Sequence, residues 1–324
     1  MSRIFSGIQP SGEITIGNYL GAIRNWVKLI NEFDSIFCVV DQHTLTAHYE
    51  TAELRKRIFE AAATGIAAGL DPEKCTLFVQ SWIPEHPELA WYFNTVTPMG
   101  DLGRMTQFKE KSKLHRENIN VGLFDYPVLQ AADILLYKAD RVPVGEDQVQ
   151  HIELSRDIAR KFNARFGPLF PEPQPILSPA PRIMGLDGQA KMSKSMKNYI
   201  GVLEEPASIR AKLATALTDE NRKRRTDPGN PDICNIYTLH KSLSSPDEIA
   251  RIDVECRRAG IGCVDCKKIL ADNMIRELDP IQARFRELER RPDEVRGALE
   301  KGAARCRKIA AATMEEVRSA MGLR

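Results

Sequence analysis

Lys191 and Lys194 have the plainest chemical potential in the chain. They stand three apart in Lys191-Met192-Ser193-Lys194-Ser195, behind a loop carrying Gly185 and Gly188. Two ammonium groups with neighbouring hydroxyls and N–H groups can close on a polyphosphate if glycines keep the approach clear. A solvated, lysine-bearing surface loop has the same composition, so the rest of the sequence must decide. Near the start, Gly7-Ile8-Gln9-Pro10-Ser11-Gly12 leads into Thr15-Ile16-Gly17-Asn18. Gly17 lets a ligand approach the backbone, and free N–H groups at a helix start favour an anion. Thr15 and Asn18 add donors without charge. Thr15 as an N-cap and Gly17 as a packing glycine are equally ordinary.

Three further groups carry chemistry. Tyr126, Gln130 and Asp133 stand at i, i+4 and i+7, on one face of a helix. Pro127 suits its first position. Apolar neighbours such as Val128 and Ile134 imply that this helix is buried, where a carboxylate needs hydrogen bonds, either from the backbone or from a ligand. Gly145-Glu146-Asp147-Gln148 follows a strand and opens a helix, the place where parallel sheets hold ligands, although acidic residues often only cap helix starts. Cys234, Cys256, Cys263 and Cys266 are separated by 21, 6 and 2 residues. Four such thiolates satisfy either Zn²⁺ or a [4Fe-4S] cluster, and spacing alone does not choose.

The elements that must position these groups follow from hydrophobic period. Residues 3–6, 36–40, 76–79 and 142–144 read as strands, and 36–40 is apolar throughout, as a strand buried on both faces is. Helices are expected over 16–33, 53–70, 87–96, 102–111, 127–138 and 147–163. This alternation predicts an α/β fold with a doubly wound parallel sheet. The proline-rich run 168–181 reads as a connector, and beyond 204 the pattern turns all-helical. The expected domains are therefore 1–190, a mobile lysine loop at 191–200, and a helical domain at 201–324.

Composition is ordinary for a globular chain, with 28% charged and 43% apolar residues. A net charge of +2 gives no global basic character, so nucleic acid would have to be met by local patches. Residues 251–324 hold 17 Lys/Arg against 13 Asp/Glu, a modest excess on helical faces. No apolar run approaches membrane-spanning length. Strand-like sequence from Arg3 leaves no room for a leader. Seven cysteines, an odd number, do not suggest a secreted disulfide framework. A cytoplasmic protein of a reducing compartment is expected. Neither a P-loop nor a G-x-G-x-x-G fingerprint is present.

Taken together, the stretches 5–18, Asp41-Gln42-His43, 105–111, 126–137, 142–154 and 191–195 resemble the bacterial tryptophanyl-tRNA synthetases, in the family's order and spacing over nearly the whole chain. Lys191–Ser195 resembles the lysine signature of class I aminoacyl-tRNA synthetases, and the Thr15–Asn18 turn its second signature. The resemblance implies that ATP activates L-tryptophan, that Mg²⁺-pyrophosphate leaves, and that the product is loaded onto tRNA(Trp) by a homodimer. It implies that Lys191, Lys194 and Lys111 neutralise the phosphates while Thr15, Gln9 and Asn18 orient ATP. Gln9, Pro10, Ser11, Gly17, Asn18, Gly145, Glu146, Asp147, Ile183, Met192, Ser193 and Ser195 would complete the ATP site. Asp133 would accept from the indole N–H. Tyr126 and Gln148 would hold the substrate ammonium, with Phe5, His43, Val144 and Gln130 about the pocket. Gln130 stands where many family members have methionine, and Tyr-x-x-x-Gln-x-x-Asp also occurs in the related tyrosyl enzymes. A subset of the family resembles this chain at Gly262–Lys268 and holds [4Fe-4S], which implies the cluster in place of zinc.

Overall fold

The computed structural model describes residues 1–114, 119–178, 183–188, 190–194 and 196–323. Five short strands form one sheet: β1 (Arg3–Ile8), β2 (Asp34–Val39), β3 (Thr76–Val79), β4 (Arg141–Val144) and β5 (Gln174–Leu177). Every neighbouring pair is parallel, in the order β3-β2-β1-β4-β5. Each residue of β3 is buried, and in β2 only Asp34 is not. The chain winds outward in both directions from β1, so the switch point lies between β1 and β4.

β5 corrects the reading of 168–181 as a plain connector. Pro173 and Pro175 hide the strand in the sequence, yet β5 lies at an edge, where a missing ladder N–H is tolerated. A second correction concerns Pro127. The helix Val121–Leu135 begins six residues before it, capped by the Asn120 side chain accepting from Leu123 N at 2.9 Å, and Pro127 lies inside. The expected helix 16–33 ends at Leu29 and includes a wider π-helical stretch, Tyr19–Ile23.

Two compact units divide the chain, and their boundaries differ from the expected domains. The first comprises Met1–Ser11, Trp26–Ser178 and Arg291–Arg324; the second comprises Gly12–Asn25 and Pro179–Arg290. In the first unit the long helix Pro292–Met321 packs on β3. Gly302 permits this: a β-carbon there would lie 2.0 Å from the Leu77 carbonyl oxygen. Arg305 then reaches Asp34 at 2.6 Å and Thr76 at 2.5 Å, and Arg318 pairs with both oxygens of Glu88. The amphipathic pattern of this helix is legible in sequence, but the body that it covers is not. The second unit is helical around Ile209, Leu213, Ile236, Leu239, Leu270 and Met274. Its Gly12–Asn25 segment joins by an antiparallel bridge, Thr15 to Gly201, with Ile16 N donating to Ile200 O at 2.9 Å.

Candidate active site

The carboxyl ends of β2 and β3 converge on Asp133. The turn after β2 forms the short helix Asp41–Thr44 and presents His43, while the turn after β3 presents Gln80 and leads into Glu85–Asn94, which carries His86. Asp133 is 1% exposed, and three donors hold its carboxylate. Gln80 Nε2 donates to Oδ1 at 2.7 Å and His86 Nδ1 to Oδ1 at 2.6 Å, while His43 Nε2 donates to Oδ2 at 2.8 Å. Burial alone would push this carboxyl up, but hydrogen bonds from His43 and His86 outweigh it and hold the group at about 2. Gln80 is itself fixed, its Oε1 accepting from Gln42 N at 3.1 Å. Gln9 Nε2 donates to the His43 carbonyl at 3.1 Å, so the turn that presents His43 is tied to the end of β1.

Tyr126 lies two turns earlier on the same helix, its ring edge-on to His43 with centroids 6.2 Å apart. Its hydroxyl is 3.0 Å from Nε2 of the buried His151, and burial pushes its pKa to about 12. Phe5 stacks on Tyr137 at 5.6 Å. Gln130, Val144, Gly145 and Gln148 are half-buried, whereas Glu146 and Asp147 are exposed. Pro10 is buried and Ser11 exposed.

In the second unit the two other candidate stretches meet. Met184 and Lys191 form an antiparallel bridge across a turn at Gly188, whose φ is +65°, and Met192 N donates to the Ile183 carbonyl at 3.1 Å. Asn198 ties the strip down: its Oδ1 accepts from Ser193 N at 2.8 Å and its Nδ2 donates to Asp187 at 2.9 Å. A β-carbon at Gly12 would lie 3.0 Å from Lys194 Cδ and 3.5 Å from its Nζ; one at Gly17 would lie 3.6 Å from Met192 Cβ. The lysine strip therefore lies along the glycine turn. Thr15 caps the helix reciprocally with Asn18, its hydroxyl accepting from Asn18 N and donating to Asn18 Oδ1 at 2.9 Å. That commits the Thr15 hydroxyl locally and leaves the exposed Asn18 as the outward-facing polar group. The Lys111 side chain and Ser195 lie outside the described residues.

Cys234, Cys256, Cys263 and Cys266 line one cavity with Asp219 and Arg222. Cys234 precedes the helix Asn235–Leu243, Cys256 ends Pro246–Arg257, and the C-x-x-C pair opens Cys263–Arg290. Arg222 Nη1 is 3.9 Å from both Cys256 and Cys263 Sγ, and its Nη2 donates to the Arg225 and Ile261 carbonyls at 2.8 Å. Burial pushes the Cys266 thiol up to about 12 and raises Cys234 and Cys256. Among the described residues, no three Cys, His, Asp or Glu side chains are placed to hold one metal ion.

Residues 1–279 match the family described as class I tRNA synthetases for W and Y. A tryptophan–tRNA ligase of Deinococcus radiodurans is 52% identical, covering 99% of both chains. That of Thermotoga maritima is 45% identical, again over 99% of both. The chain belongs to the bacterial class I tryptophanyl-tRNA synthetases. The solved tryptophanyl-tRNA synthetase of Campylobacter jejuni, complexed with ADP and tryptophan, superposes with a TM-score of 0.86 at 32% identity, over 99% of each chain. The tyrosyl-tRNA synthetase of Archaeoglobus fulgidus, at 20% identity and a TM-score of 0.70, shares the fold alone.

Within this synthetase the structure brings together His43, Tyr126 and Asp133, and separately Gly12, Gly17, Met192 and Lys194. Three buried polar residues were missed in the sequence: Gln80, His86 and His151. Their partners lie 53, 47 and 25 residues away, so no local pattern marks them. Only Gln80, directly after the apolar strand 76–79, carried a signal, a polar group that demands a partner without naming it.

Proposed function

We propose that the chain activates L-tryptophan with ATP and transfers it to tRNA(Trp). A tryptophan carboxylate oxygen attacks the α-phosphorus, the bond to the bridging oxygen breaks, and pyrophosphate leaves with Mg²⁺. A hydroxyl of the terminal tRNA ribose then attacks the aminoacyl carbonyl, and AMP departs. The carboxylate is already a nucleophile, so catalysis consists of positioning and charge stabilisation. Lys191, Lys194 and Lys111 neutralise charge on the departing pyrophosphate. Asn18, oriented by the Thr15 cap, and Gln9 direct ATP, with Gly145, Glu146 and Asp147 at the nucleoside. Tyr126 and Gln148 take the substrate ammonium, and Asp133 takes the indole N–H.

One observation carries this reading: Lys194 lies along Gly12 and Met192 along Gly17, so the two class I signature stretches form one surface. The test is ATP–pyrophosphate exchange with each amino acid in turn. Tryptophan supports exchange and tyrosine does not; tyrosine-dependent exchange overturns the assignment. We take the enzyme to be a cytoplasmic homodimer, as translation enzymes of this family are, and sedimentation equilibrium tests the dimer.

For the cysteines we infer a [4Fe-4S] cluster. Zinc would draw four sulfurs to about 2.3 Å from a single point. These four line one cavity, so all four thiols are available to a single group, and the likeness of Gly262–Lys268 to the cluster-holding subset favours iron–sulfur over zinc. Arg222 beside two sulfurs supplies the positive N–H character that four thiolates need. The cluster would brace the helices that bear its ligands. Absorption at about 400 nm with stoichiometric iron and sulfide in anaerobically prepared protein supports it; zinc without iron overturns it.

A further inference from the structure

We propose that His86, backed by Tyr137, is a positioning residue for tryptophan recognition: it saturates Oδ1 of Asp133, so that Oδ2 is the only oxygen free to read the indole N–H. The proposal rests on the Asp133–indole contact and names the residue that gives the contact its direction.

A carboxylate rotates about its last side-chain bond unless donors fix it, and it has about four acceptor positions. On Asp133 both positions of Oδ1 are filled, by Gln80 at 2.7 Å and His86 at 2.6 Å, while Oδ2 receives His43 and retains one. The two oxygens also differ in surroundings. Gln80 and His86 are fully buried, whereas the His43 side chain is 11% exposed, so Oδ2 lies on the less deeply buried side of the carboxylate. The imidazole of His86 cannot turn. Its Nε2 lies 2.8 Å from the Tyr137 hydroxyl, Phe78 stacks on it at 5.8 Å, and the Tyr137 ring is 5.4 Å away. Nδ1 faces the carboxylate and Nε2 faces the Tyr137 hydroxyl, so both ring nitrogens are engaged. Tyr137 is fully buried and stacked on Phe5 of β1. The chain Tyr137–His86–Asp133 thus transmits the rigidity of the sheet to one oxygen atom. Removing His86 frees one position on Oδ1, and the carboxylate then has two ways to face a substrate.

The test compares L-tryptophan with 3-(3-benzothienyl)-L-alanine, in which sulfur replaces the indole N–H, by the kcat/KM of ATP–pyrophosphate exchange. The parent enzyme prefers tryptophan. His86→Leu lowers kcat/KM for tryptophan about tenfold, through KM, a loss of the size expected for a charge-assisted hydrogen bond. It leaves the analogue nearly unchanged, so the preference narrows by the same factor, and His86→Asn, which keeps one donor, recovers part of it. Equal losses for both amino acids make His86 merely structural and overturn the proposal. If the parent enzyme shows no preference, the Asp133–indole contact itself fails, which is a different outcome. Should His86→Leu not fold, Tyr137→Phe decides: losing the hydroxyl that holds the ring narrows the preference about twofold or more, and an unchanged preference overturns the proposal.

Discussion

Replacing Gly302 by alanine sets two known effects against each other on one helix. In an unconstrained helix interior the change is favourable by about 1 kcal/mol. Here the new β-carbon would lie 2.0 Å from the Leu77 carbonyl oxygen and 2.8 Å from its carbon, and both are backbone atoms of β3. Carbon–oxygen contacts settle near about 3.3 Å, so the helix Pro292–Met321 must retreat by about 1 Å. Such a gap forfeits about a quarter to a half of each dispersion contact along the interface. Overpacking of this kind costs about 1–3 kcal/mol, and more where backbone meets backbone. The upper end applies, which leaves a net destabilisation of about 2 kcal/mol. For a body of this size that lowers Tm by about 4–8 °C. Gly297 is the internal control: it is exposed on the same helix and nothing lies within 4 Å of its added β-carbon. Gly297→Ala should therefore raise Tm slightly. Paired thermal melts read opposite signs, and a Gly302→Ala enzyme as stable as Gly297→Ala would refute the account of how this helix packs.

Lys194→Ala should slow adenylate formation by about 10²–10³-fold, the range for loss of one charge-stabilising donor, while equilibrium binding of tryptophan stays near normal; equal loss of both would refute the division of roles. His151→Leu removes the group that meets the Tyr126 hydroxyl at 3.0 Å, so the hydroxyl is no longer held from that side in the orientation proposed for the substrate ammonium. KM for tryptophan rises several-fold with kcat little changed, and a pure kcat effect would count against it. Asp133→Asn tests the pH behaviour of the buried carboxylate. Its folded pKa, about 2, lies below the free value of 3.8, so its stabilising contribution is complete above about pH 5 and is lost as pH falls through about 4 to 2. The urea-midpoint difference between parent and variant should be flat from pH 8 to about 5 and shrink below about 4; a difference that grows on acidification has the wrong sign.

Four of the five strands were legible because their apolar runs are continuous and bounded by glycine or charge. β5 was not, because Pro173 and Pro175 interrupt a run with only Ile176 and Leu177 as apolar residues, and its place at the sheet edge tolerates the missing N–H. The Asp133 face of the helix Val121–Leu135 was legible from the i, i+4, i+7 spacing. What holds Asp133 was not: Gln80 and His86 reach it through the sheet's crossover connections, and pairings of that kind leave no periodic trace. The helix Pro292–Met321 shows the same limit. Its small residues Gly302, Ala303 and Ala310 announce a close approach, yet nothing local says that the partner is β3, more than two hundred residues earlier. The motif made Lys194 a candidate phosphate ligand, while its position along Gly12 needed the bridge between Thr15 and Gly201.

The motif Tyr126-x-x-x-Gln130-x-x-Asp133 is compatible with either aromatic amino acid, and physical chemistry explains why. A phenol O–H and an indole N–H are both donors, so a buried carboxylate attracts each. Charge therefore cannot discriminate, and position must. The two donors lie at different distances and angles from the Cα atom that Tyr126 and Gln148 would hold. Only an acceptor fixed to a fraction of an ångström turns that difference into free energy, because a rotating carboxylate would follow whichever donor arrived. On this argument the identity of the amino acid is not written in Asp133 alone. It lies in the three side chains that stop Asp133 from moving, Gln80, His86 and His43. Substitutions behind the carboxylate should therefore change selectivity more than they change kcat for tryptophan.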